Sequence, residues 1–125
     1  MKVKIDTKEK FHVITLEEEV LAANMTEKLR ELLQGFKTKT PRHVVVNLGQ
    51  VKVMDKAFAG ELTQQQQVFY ENNSSLVICE LANEVESFLD KNELLEIMNV
   101  TPTESEAGDI VQMEEIEREL LDGSE

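Results

Sequence analysis

Hydrophobic and polar positions follow two periods along this chain, and the switches between them outline its elements. Val3 and Ile5 alternate with Lys2, Lys4 and Asp6, while Phe11, Val13 and Thr15 alternate with His12, Ile14 and Leu16. Both segments therefore predict strands, and the polar Asp6 to Lys10 between them has the length of a hairpin loop. Leu21, Met25, Leu29, Leu32 and Phe36 recur at steps of three and four, which predicts one face of a helix. Asn24 and Glu27 form a candidate capping pair for that helix, with a start as early as Val20, and Gly35 is its candidate stop. Thr38 to Pro41 reads as linker, because the residue before a proline is pushed out of the helical region.

The run His43 to Leu48 is almost wholly β-capable and predicts a strand covered on both faces. Val51 to Asp55 leads out of it, and Lys56 to Gly60 opens a helical pattern whose stripe is Phe58, Leu62, Gln65 or Gln66, and Phe69. This junction would hold Asp55 and Lys56 at a helix N-terminus, where backbone N–H groups lack partners. The four glutamines Gln64 to Gln67 read as the surface of that helix, and Asn72-Asn73 as its turn. Ser75 to Leu81 predicts another buried strand, Val85 to Leu89 a short helix, and Met98 to Val100 a short strand. Thr103 and Glu106 match a capping box opening a last helix, with Ile110, Met113, Ile116 and Leu120 at helical spacing.

Several local patterns, in this order and at these distances, resemble the STAS domain, the anti-sigma-factor-antagonist family. They are Met54-Asp55 followed by a helix, the strand Leu76 to Cys79, Val85 to Leu89, then Leu94, Ile97 and Val100, and the opening Thr103 to Ala107. The resemblance implies an α/β fold, a mixed sheet of four to five strands with about four helices packed against it. It places the domain at residues 1–112, with 113–125 as an acidic extension of the last helix. It also implies a partner-binding loop, Val53, Met54, Asp55, Lys56, Ala57 and Phe58, whose serine or threonine after the Asp is phosphorylated by a kinase that is itself the partner. Here Lys56 and Ala57 occupy those positions, and neither can carry a phosphate ester. The switch is absent from its usual place. Thr63 is the nearby hydroxyl, about two turns into the predicted helix.

Charge narrows the partner. The 125 residues carry a formal net charge of −12, which repels nucleic acid and anionic membrane surfaces. Residues 104–125 hold nine acids against the one base Arg118, a net −8, so the C-terminal segment sets most of the balance. The single Cys79 excludes an intrachain disulfide and suits a reducing, cytoplasmic setting; no leader or membrane span is read from the N-terminus or the apolar runs.

Catalytic patterns are lacking. His12 and His43 have no metal-ligand spacing, no serine stands in a nucleophile elbow, the glycines assemble no phosphate cradle, and the acidic run 114–119 lacks calcium-loop spacing. The expectation is a non-enzymatic protein-binding module without cofactor or metal. Its partner is expected to be an anti-sigma factor or a related regulatory kinase. Two alternatives are a STAS domain that binds a nucleotide or other small anion, and a subunit of a transporter or stressosome-type complex. For the last helix, the stripe Ile110, Met113, Ile116 and Leu120 either covers the sheet or docks a partner, including a second copy.

Overall fold

The alternating N-terminal segments form β1, Val3–Thr7, and β2, His12–Leu16, paired antiparallel with Val3 opposite Leu16 and Thr7 opposite His12, in a computed structural model that describes residues 1–122. β3, Val20–Leu21, a 3-10 turn at Ala23–Met25 and α1, Thr26–Gln34, follow. Next come β4, Val44–Asn47; β5, Val53–Met54; α2, Lys56–Glu71; β6, Leu76–Cys79; and α3, Asn83–Lys91. A 3-10 turn at Leu95–Ile97 leads to β7, Val100–Thr101, and α4, Glu104–Asp122.

The main sheet has the order β1-β2-β4-β6-β7, with every pair after the first parallel. Register sorts its side chains into two layers. Ile14, Val46, Ile78 and Val100 lie in one row across four strands. This row faces α1, α2 and α3, whose Leu29, Leu33, Phe58, Leu62, Phe69, Val85 and Leu89 complete the larger core. Val13, Val45 and Val77 form the alternate row and face α4, which covers them with Ala107 and Val111. Burial on both faces explains why β4 and β6 read as unbroken apolar runs. Gly108 lets α4 lie against Phe11, since a Cβ there would stand 3.0 Å from that ring.

Three expectations are corrected. Leu21 is in a strand and Phe36 lies beyond α1; both are buried, but Leu29 and Leu33 form the buried face of the helix itself. The Asn24–Glu27 cap does not form, because the chain between Leu21 and Thr26 is taken by strand and 3-10 turn and Met25 is the N-cap. The glutamine run is only partly surface: Gln65 is buried, and Gln66 accepts the Asn99 N–H and donates to the Ile97 carbonyl, pinning the approach to β7. By contrast, the Thr103 hydroxyl accepts the Glu106 N–H at 3.1 Å, as half of the capping box requires. Gly35 ends α1 with φ −62, so it stops the helix without a left-handed turn.

Candidate functional site

After β4 the chain turns through the Val51 N–H donating to the Leu48 carbonyl and runs beside the segment that leaves β2. There β3 and β5 form a two-stranded parallel ribbon, Val20 beside Val53 and Leu21 beside Met54. The pleat gives the two pairs opposite fates. Leu21 and Met54 enter the core at 0% and 4% exposure, whereas Val20 and Val53 stand outside at 53% and 57%. The Glu19 carbonyl accepts from Lys52 and Val53, and the Leu21 carbonyl accepts from Asp55, so the ribbon carries the chain to the start of α2.

Asp55 is the N-cap of α2, extended at φ −76 and ψ 147, and its carboxylate accepts the Ala57 N–H at 2.8 Å. This satisfies one donor that a helix start leaves open and sets a negative charge at the positive end of the helix dipole. Phe58 is wholly buried and anchors the first turn. Lys56 and Ala57 are left exposed beside Asp55 and Val53. Lys56 makes no ion pair among the described residues. The acid closest along the helix, Glu61, is engaged by Arg30 at 2.8 and 3.3 Å and by Gln65, and the Arg30 guanidinium holds its carboxyl below the usual range. A cation at this position opposes the helix dipole by about a few tenths of a kcal/mol.

Of the six residues predicted for the loop, Val53, Asp55, Lys56 and Ala57 are thus on the surface, and Met54 and Phe58 are core. The pleat turns Met54 inward, and Phe58 occupies the buried face of α2, so neither can meet a partner directly. Sequence reasoning missed Val20 and the exposed Glu19–Lys52 ion pair at 3.1 Å. Their signal was the repeated outward-inward pair Val20-Leu21 and Val53-Met54, which a helical reading of Leu21 concealed. Thr63 donates its hydroxyl to the Ala59 carbonyl at 3.1 Å inside α2, so it is tied to the helix backbone.

The other candidate surface lies elsewhere. α4 starts where Glu104 accepts from the Asn47 side chain and its N–H meets Glu80, at the C-terminal ends of β4 and β6. It then crosses the opposite face of the sheet from α2 and reaches Ser74 and Ser75 at the start of β6. Ile110 is half-buried against the smaller core, while Met113, Ile116 and Leu120 are 54%, 48% and 69% exposed. The stripe divides between its two candidate roles: Ile110 joins Ala107 and Val111 in covering the sheet, and Met113, Ile116 and Leu120 face away from it.

The histidines serve the fold. His12 lies beside the Phe36 ring and shares a hydrogen bond with the Thr7 hydroxyl. His43 bridges Glu115 and the Ser75 N–H. Cys79 is buried, and desolvation pushes its thiol up to about 12. No cluster of metal-ligating side chains occurs among the described residues, and no described helix is long and apolar enough to cross a membrane.

The family model of the STAS domain matches residues 2–107, and the chain belongs to that family. An anti-sigma factor antagonist from Mycobacterium paratuberculosis has a similar structure, with TM-score 0.75, 11% identity, and coverage of 89% of this chain and 93% of that one. SpoIIAA of Bacillus, an anti-sigma factor antagonist in its unphosphorylated form, gives TM-score 0.69 and 17% identity over 89% of this chain and 96% of its own. The murine anion transporter Slc26a9 matches 86% of this chain over 18% of its own length, with TM-score 0.70 and 12% identity. Comparison with curated protein sequences gives no match.

Proposed function

We propose that this STAS domain is a non-catalytic docking module of the anti-sigma-factor-antagonist kind, binding a protein partner through Val20, Val53, Asp55, Lys56 and Ala57. The observation that carries the reading is the Asp55 cap: it holds an exposed lysine and alanine on the first turn of α2, beside two outward valines. An apolar centre ringed by charges is the ordinary anatomy of a protein contact. With no hydroxyl at the two positions after Asp55, the surface stays in one charge state, and binding is constitutive rather than switched. An anti-sigma factor or related kinase is the partner class that the family resemblance supports, and a buried free thiol suits a cytoplasmic setting.

A small anion at the start of α2 is the weaker reading, because the Asp55 carboxylate already takes the Ala57 N–H and would repel phosphate. The test is affinity capture from the native host with the full chain and with a Lys56→Glu, Ala57→Asp variant. The expected result is a protein partner recovered by the first and lost from the second, with equal melting temperatures. Equal recovery by both would place the contact elsewhere.

A further inference from the structure

Beyond Val111, α4 is turned opposite to the usual arrangement: its polar side is on the body of the domain and its apolar side is outside. Glu114 accepts from the Asn99 side chain at 3.0 Å, Glu115 meets His43 at 3.0 Å, and Arg118 donates to the Ser74 carbonyl and Ser75 hydroxyl at 2.8 and 2.9 Å. At 3.6 residues per turn, Met113, Ile116 and Leu120 fall on the side of the helix away from those contacts, and all three are exposed. Contiguous outward apolar side chains of this size mark an interaction surface. Glu117 and Glu119 flank them and make no ion pair among the described residues.

The same end of the molecule carries the opposite charge. An open cleft of about 480 Å³, bordered by Glu115 of α4, is lined by Lys10, Lys37, Lys39 and Arg42 against the one further acid Glu9. Lys39 sits 4.7 Å over the Phe36 ring, and none of the four makes an ion pair among the described residues. In a chain of net charge −12 this is a local excess of cations over acids, none of those cations ion-paired among the described residues.

We propose that a second copy of this chain occupies this end, the outer stripe of α4 packing in the interface while the acidic flank of each helix meets the basic loop of the other copy. Helix against helix alone would oppose like charges, since residues 104–125 carry a net −8. Because the acidic helix and the basic cleft adjoin in one molecule, a two-fold operation satisfies both contacts at once and closes the assembly. Asp55 and its neighbours lie at the other end of the sheet, so the dimer leaves two docking loops free.

Sedimentation velocity on the full chain tests this. The expected result is a concentration-dependent dimer that weakens as salt screens the charges. Ile116→Ser with Leu120→Ser is expected to raise the dissociation constant at least about tenfold. Glu117→Lys with Glu119→Lys is expected to weaken the dimer, and mixing that variant with Lys37→Glu, Lys39→Glu to restore it as a heterodimer, a rescue between two chains that a contact within one chain does not give. Thermal melts on each variant confirm folding, and Lys56→Glu is expected to leave the dimer intact, which separates this surface from the docking loop. A wild-type chain that remains monomeric at about millimolar concentration overturns the proposal. So does a dimer that ignores the stripe, or one that the charge swap fails to restore.

Discussion

Val20 and Val53 stand side by side on the outer face of a two-residue parallel ribbon, although 33 positions separate them and each precedes a residue buried in the core. Leu21 and Met54 fix the ribbon from below, so the valines are presented on a supported platform rather than on a loose loop. Substituting both by serine is expected to change stability by no more than about 1 kcal/mol in total, since each is more than half exposed. Partner capture should fall in the same variant. A large loss of stability in thermal melts would assign the pair to the core instead.

Lys56 and Ala57 should leave the loop unmodified. Incubation with partner-switching kinases and ATP is expected to give an intact mass without stoichiometric phosphate in the segment around Asp55. Phosphate found there would end the constitutive reading.

Two caps hold the helices that carry the proposed surfaces. Asp55→Ala and Thr103→Ala each remove an acceptor from a first-turn N–H and are expected to cost about 1 kcal/mol. Phe58→Ala, which empties a wholly buried site under the loop, is expected to cost about 3–5 kcal/mol. Denaturant unfolding that ranks Phe58 below the caps would contradict this packing.

His43 gives the fold a pH dependence of known sign. Its Nδ1 accepts the Ser75 N–H and its Nε2 donates to Glu115, which only one neutral tautomer can do. Burial lowers its pKa from the ordinary 6.5, outweighing the carboxylate of Glu115. The unfolded chain therefore binds this proton more readily, so the neutral ring contributes fully above 6.5 and its contribution is lost as pH falls toward the folded-state value. Melting temperature is expected to drop between about pH 7.5 and about pH 5.5, and the slope to flatten in His43→Gln. A wild-type profile as flat as that of the variant would remove the argument.

Cys79 should be inert. With its thiol buried and raised to about 12, the native chain is expected to resist Ellman's reagent at neutral pH, and the unfolded chain to react with one equivalent. Fast labelling of the native protein would contradict its place in β6.

Much of this architecture was legible because each signal is local. The alternation around Val13 and Ile14, the apolar runs of β4 and β6, the stripe of α2 and the cap at Thr103 depend on neighbours a few positions away. The Asp55 junction was readable for the same reason, and so was the lack of a hydroxyl after it.

Sequence alone therefore determined the order of the main-sheet strands and the four helices, the acidic balance of the C-terminal segment and the chemistry available after Asp55. Only the tertiary structure decided which apolar residues face inward. Leu21 and Val20 were drawn into a ribbon by pairing with Met54 and Val53, a contact whose energy comes from residues far along the chain. In α4 the apolar stripe has helical spacing, yet His43, Ser74, Ser75 and Asn99 offer polar partners at the sheet, so Glu114, Glu115 and Arg118 turn inward and Met113, Ile116 and Leu120 are left outside. Periodicity fixes which residues share a face; the surface opposite decides which face is buried.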